Sequence, residues 1–178
     1  MRALATTVVR RLRADFQRVA ALEVERLLEV GRFDAIAELA EGYPLKVFGD
    51  AVGITAKDRR TLLEYGNISF NAMGPRNALC LESMQNERAV TGWIMAQCAR
   101  DALDPKGLGA IMYAAADEGE ITQDEAGMLV RSFLSAGVDT TVRAVGGALH
   151  ALALNPGQWK QLRANPGLAR ATAEEAIR

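Results

Sequence analysis

Between Thr122 and Asn155-Pro156 nothing in the sequence stops a helix. Thr122 with Glu125 three residues on forms a capping box, in which the hydroxyl takes one free helix N–H and the carboxylate another. The next stop is Pro156, which pushes Asn155 out of the α region. The span 122–154 is about 50 Å of helix at 1.5 Å per residue, against a mean of about 12 residues in globular proteins. A helix that long crosses a whole domain, so the rest of a 178-residue chain must pack around it.

The interior of this helix is unusual. Gly127, Gly137, Gly146 and Gly147 each cost about 1 kcal/mol relative to alanine in a helix, and the usual compensation is another body lying close against the backbone. At 100° per residue, Ser132, Ala136 and Thr140 fall in one row, with Ser135 and Asp139 in the row beside it. Leu134, Val138 and Val145 point the other way. A small, polar strip therefore runs through a mostly apolar helix, flattest at Ala136-Gly137. Tight helix packing, with Thr140 bonding back to a carbonyl one turn earlier, accounts for small residues alone. Asp139-Thr140-Thr141 adds groups that packing does not require.

Helical spacing dominates the remainder. Leu4, Val8, Leu12 and Phe16 recur every four residues in a first amphipathic helix over 3–29, closed by Gly31. This reads the arginine-rich opening MRALATTVVRRLRADF as a helix rather than as a transit peptide. A segment from Asp34 to Ala40 precedes a helix opened by Pro44 at its first position and ended by Gly53. Thr55 with Asp58 suggests a cap for a helix reaching Ala72, and Gly74-Pro75 breaks it. Residues 77–101 read as one long helix with Leu81, Met84, Ala89, Trp93 and Met95 among its apolar positions. Asp104-Pro105-Lys106-Gly107 is a turn, and Gly109 to Ala116 a short apolar helix. Asn155-Pro156 and Asn165-Pro166 repeat one device, a capping asparagine before a first-turn proline. With no recognisable strand, repeat or linker, the expected fold class is all-α, one domain over 1–178.

Composition narrows the function classes. A net charge of −1 argues against a nucleic-acid or anionic-membrane surface. Arg143 and His150 interrupt the longest apolar stretch, so no transmembrane helix is expected. Two cysteines, Cys80 and Cys98, suggest no disulfide framework, which fits a reducing, cytoplasmic compartment.

AGVDTT, residues 136–141, resembles the A-G-x-D/E-T-T signature in the long central helix of the cytochrome P450 family, the haem-thiolate monooxygenases. FDAIAELAEGYPLKVFGDAVGI resembles the segment that precedes it in bacterial members. LARATAEEAIR resembles the helix carrying E-x-x-R, here Glu175 and Arg178 in a helix over about 166–178. The likeness runs along essentially the whole chain in order. It implies the central helical portion of that fold, without its N-terminal sheet region and C-terminal haem-ligand loop. It also implies haem as cofactor, with Ala136 and Gly137 facing it and Asp139 and Thr140 in the relay that delivers protons during dioxygen activation. A hydroxyl beside a carboxylate suits proton delivery into an apolar pocket. Glu175 and Arg178 are implied to brace the core, a structural role. Implied partners are a small-molecule substrate, O2, and a ferredoxin-type donor with an NAD(P)H-dependent reductase.

A narrower likeness is to bacterial members that oxidise para-substituted benzoic acids, including removal of a methyl group from 4-methoxybenzoate. Those relatives carry an L-[LV]-R-S-x-L-S-A-G run, matched by residues 129–137. This resemblance places Arg131, Ser132 and Ser135 where the substrate carboxylate is held, and a planar guanidinium suits a carboxylate. Small residues at a helix crossing and a surface arginine explain the same positions equally well. An F-N-A-F-G-P segment lining the pocket in those relatives is matched by residues 70–75, with Phe70 kept and Met73 replacing the second ring. A flexible thioether there reshapes the pocket.

The largest departure is the axial cysteine. In the family it lies in a glycine-framed loop after E-x-x-R, and neither Cys80 nor Cys98 has that frame. The chain accordingly reads as an internal piece, inactive alone. The competing reading is an all-α ligand-binding or interaction domain without haem. That reading explains the helices but not the order and spacing of AGVDTT and EEAIR.

Overall fold

The computed structural model describes residues 5–178, so Leu4 of the first helical stripe lies outside the described residues. Nine α-helices make up most of that span: α1 Thr6–Val30, α2 Gly42–Val52, α3 Thr61–Asn71, α4 Ala78–Ser83, α5 Glu87–Gln97, α6 Leu108–Asp117, α7 Gln123–Leu154, α8 Pro156–Ala164 and α9 Ala169–Ala176. No sheet forms among the described residues; the backbone of Ile54 meets that of Leu103 in a single antiparallel bridge. The expected all-α class is what is found.

The 32 residues of α7 run unbroken, with the Thr122–Glu125 capping box formed in both directions. Helices α2, α3, α5, α6, α8 and α9 all touch α7. Ala126, Val130, Leu134 and Val138 recur every four residues along its buried side and are 0–1% exposed. They meet Val52, Leu62, Tyr65, Ile94, Leu108 and Met112 in one core. Helix α1 packs on α2, where Val8 and Leu12 lie against the core. The Tyr43 hydroxyl donates to the Phe16 carbonyl at 3.1 Å.

Local chemistry sets the element ends. Gly31 and Gly53 close α1 and α2 with φ of 77° and 101°, a region open to glycine without a Cβ penalty. Asp34 caps the next segment, its carboxylate accepting from the Ile36 and Ala37 amides. Residues Ala35–Glu41 then form a π-helix that runs directly into α2. Pro44 is therefore the third residue of α2 rather than its first. Its missing N–H removes one backbone bond from this continuous run, at the point where the winding changes from π to α.

Two other sequence expectations are corrected. Thr55 caps nothing; its hydroxyl donates to the Ala102 carbonyl at 2.9 Å, and α3 begins only at Thr61. The stretch 77–101 is not one helix: it breaks at Met84–Asn86, a 3-10 turn, and α5 ends at Gln97. Ser83 adds its hydroxyl to the Cys80 carbonyl at 2.9 Å, which also accepts the Met84 amide. The break rotates the apolar face. Val90, Ile94 and Cys98 become the buried positions, while Leu81, Met84 and Met95 stay exposed.

Candidate functional site on the central helix

The middle of α7 has two unlike sides. Ser132, Ala136 and Thr140 lie in the expected row, and all three are exposed. Met128 and Gly147 extend the same open strip. Its hydroxyls do not protrude. Ser132 donates to the Met128 carbonyl at 2.8 Å and Thr140 to the Ala136 carbonyl at 2.7 Å. Thr141 repeats the bond to Gly137 at 2.7 Å. With hydrogens turned inward, the hydroxyl oxygens offer only lone pairs outward. The strip is flat and apolar, edged with acceptors.

Gly137 is turned away from the strip. A Cβ built on it would land inside the Phe48 ring of α2. Its missing side chain thus admits an aromatic ring from a neighbouring helix, while Ala136 presents the open surface. One hundred degrees of helix separate the two roles.

Asp139 is the buried charged residue of the core, 6% exposed. The Arg143 Nε donates to its Oδ2 at 2.7 Å, and the arginine side chain itself is 64% exposed. That bond gives the enclosed carboxylate a partner. On the other side Asp139 abuts Gly66 of α3, where an added Cβ would meet the Asp139 Cβ at 3.0 Å and Oδ1 at 3.2 Å. Asp139 and Thr140 are therefore neighbours in chain with different surroundings, one enclosed and one open.

The remaining candidates are scattered. Arg131 lies about 140° around the helix from Ala136 at 100° per residue, and its charge acts on Cys98. It does not share a surface with Ser132. Ser135 is half-buried. Phe70 and Met73, at the end of α3, are 38% and 80% exposed. Glu175 and Arg178 pair at 3.2 Å, both well exposed. Cys98 is 1% exposed; burial pushes its thiol up from 9.0 to about 11 against the pull of Arg131. Cys80 is half-buried on α4 and His150 is exposed. Among the described residues no group of three or more His, Cys, Asp or Glu could hold a metal ion.

Phe48, Gly66 and Arg143 were not singled out from the sequence. Arg143 was findable, being four residues after Asp139 and so on its face of the helix. Phe48 and Gly66 come from α2 and α3, and no local pattern connects them with α7.

No protein-family model matches the sequence. Cytochrome p450 CYP199A2 of Rhodopseudomonas palustris is 44% identical over 176 residues, covering 98% of this chain and 43% of that protein. The chain closely matches the bacterial cytochromes P450. The epothilone C/D epoxidase of Sorangium cellulosum is 26% identical over 179 residues, 94% of this chain and 42% of that protein. Among solved structures, CalO2 superposes with a TM-score of 0.75 at 23% identity, covering 98% of this chain and 45% of its own. P450BioI, solved with a hexadec-9Z-enoic acid ligated acyl carrier protein, gives 0.76 at 18% identity and covers 98% and 46%. These two likenesses concern the fold alone. The chain spans less than half the length of the P450 relatives it matches, and it corresponds to the helical core of the P450 fold without the sheet region.

Proposed function

We propose that this chain forms the distal wall and proton-relay segment of a haem-dependent monooxygenase that inserts one oxygen atom from O2 into a small organic substrate. The observation that carries the reading is the open strip of α7, with an enclosed carboxylate in the turn beside it. Ala136 and Thr140 fit a flat macrocycle because they are exposed, small and free of protruding donors. Gly137 serves the same surface from behind, letting the Phe48 ring approach the backbone. Bound there, haem supplies dioxygen activation with electrons from a ferredoxin-type donor and its NAD(P)H-dependent reductase.

The chain's own residues then act as follows. Ala136 sets how closely a planar group approaches the helix. Thr140, its hydrogen committed to the Ala136 carbonyl, accepts a hydrogen bond from whatever occupies the site. Asp139, enclosed and held by Arg143, relays a proton from the solvent side toward the strip beside it, as a carboxylate next to an apolar pocket can. The buried neutral thiol of Cys98 is unsuited to metal ligation and Cys80 lacks the glycine frame of the family's ligand loop, so the axial thiolate is expected from neither. Glu175 and Arg178 are read as a structural pair by resemblance, although in this chain both side chains are exposed at the end of the last helix.

For the substrate we favour a para-substituted benzoic acid, hydroxylated or O-demethylated. Support comes from the residue 129–137 run and from Phe70. Ser132 and Ser135 lie toward the open side, with Phe70 and Met73 as further lining. Arg131 faces away from that side, so a carboxylate contact from Arg131 needs a route around α7. The test is incubation of the haem-loaded protein carrying this chain with 4-methoxybenzoate, a ferredoxin, its reductase and NAD(P)H. Formaldehyde and 4-hydroxybenzoate in equal amounts are expected; absence of a substrate-induced Soret shift with any para-substituted benzoate contradicts the substrate assignment.

A further inference from the structure

The relay reading leaves open what holds the Asp139 carboxylate in place, and the fold supplies a specific answer. Gly66 is buried in the interior of α3, a position where glycine weakens a helix. The three atoms nearest to a Cβ added there are Asp139 Cβ at 3.0 Å, Oδ1 at 3.2 Å and Cγ at 3.3 Å. All belong to one side chain, so the space that glycine leaves is filled by Asp139 alone at that range. The other carboxylate oxygen, Oδ2, is fixed by Arg143 Nε at 2.7 Å. The carboxylate thus sits in a clamp, with a backbone notch on one side and a guanidinium on the other. Elsewhere α7 is held by the converse arrangement, in which its own Gly137 admits Phe48.

We infer that Gly66 is a positioning residue for the proton relay: its missing Cβ fixes the Asp139 carboxylate against α3 and in reach of Arg143. This rests on the reading of Asp139 as a proton carrier. A methyl at position 66 would meet the Asp139 side chain at 3.0–3.3 Å, tighter than ordinary contact, so that side chain has to give by a few tenths of an ångström, and the shift is taken up where the carboxylate meets Arg143.

The test uses the haem-loaded protein carrying this chain, with Gly66→Ala, Asp139→Asn, the double variant, and Gly92→Ala as a control. Gly92 is exposed in α5 with nothing within 4 Å of an added Cβ, so its substitution leaves turnover unchanged and raises the unfolding midpoint. Gly66→Ala is expected to lower kcat by about tenfold or more, with KM and haem content unchanged and a larger solvent-deuterium isotope effect. The double variant should be no slower than Asp139→Asn, since residues acting as one unit are non-additive. Wild-type kcat and isotope effect in Gly66→Ala, or multiplicative losses in the double variant, overturn the inference. A second readout needs no turnover. Gly66→Ala should lower the unfolding midpoint when Asp139 is present and much less in an Asp139→Ala background; equal shifts in both backgrounds overturn the notch itself. If Asp139→Asn leaves turnover untouched while the midpoints are coupled, the relay reading fails, and the positioning role for Gly66 fails with it.

Discussion

A side chain at residue 137 has nowhere to go. The Phe48 ring occupies its place, and overpacking of that kind costs about 1–3 kcal/mol even where the surroundings can shift. Gly137→Ala should lower the urea midpoint by a corresponding amount, and Phe48→Ala in the same chain should recover part of the loss; additive losses would show that the two do not touch. Cys98 makes a second residue-scale prediction. Its thiol is raised by burial to about 11 in the fold, above its value in the unfolded chain, so the folded state holds the proton longer. Stability contributed by the neutral thiol is present below the unfolded value and is lost as pH rises from about 9 toward 11. Unfolding midpoints measured across that window should fall in the native protein and fall less in Cys98→Ala. The spacing of small residues pointed to a strip on one helix, and the resemblance of residues 136–141 to A-G-x-D/E-T-T picked out Ala136, Gly137, Asp139 and Thr140 on it. Neither could show that Gly137 and Ala136 serve opposite sides, because that depends on which neighbour lies behind the helix.

Among the elements, α7 was the most legible because its start is written locally. Thr122 and Glu125 satisfy each other's orphan backbone groups, and Thr122→Ala should cost about 1 kcal/mol in a denaturant titration; an unchanged midpoint would mean the first turn is held by packing alone. The closing glycines were legible for the same reason, but of the two Asn-Pro pairs only Asn165 caps with its side chain; the Asn155 amide instead donates back to the Ala151 carbonyl. The break between α4 and α5 was not, since residues 77–101 keep helical spacing straight through the 3-10 turn at Met84–Asn86. Loops held by distant partners were equally hidden. Arg59 donates to the carbonyls of Lys46, Ile54 and Ala56 and pairs with Asp50, binding the end of α2 to the loop before α3. Arg100 pairs with Asp117 through two bonds of 2.6 and 2.5 Å, which tie the start of α6's approach to its end. The Arg100 guanidinium holds Asp117 below the usual carboxylate range. That contribution is therefore present above the ordinary carboxylate pKa and is lost as pH falls through the depressed value. Arg100→Gln should flatten the acid limb of the stability profile below about pH 4; an identical limb would exclude the pair as a source of it.

Across the molecule, a well-packed core coexists with large apolar side chains left in the open: Met73 at 80%, Leu28 at 75%, Ile177 at 72% and Leu154 at 68% exposed. No described helix is long and apolar enough to cross a membrane. The chain spans 43% of its 44%-identical relative. The 178 residues alone should give no thiolate-type Soret band with carbon monoxide, and such a band would show that Cys80 or Cys98 ligates iron. The central claim is that the open strip of α7 faces haem. The most direct measurement is methyl NMR of the haem-loaded protein, comparing its ferric form with the diamagnetic carbon-monoxide form. Ala136 and Thr140 methyls should shift and broaden far more than those of Val130 and Leu134 on the buried side; equal effects on both sides, or larger ones on Val130 and Leu134, would contradict it.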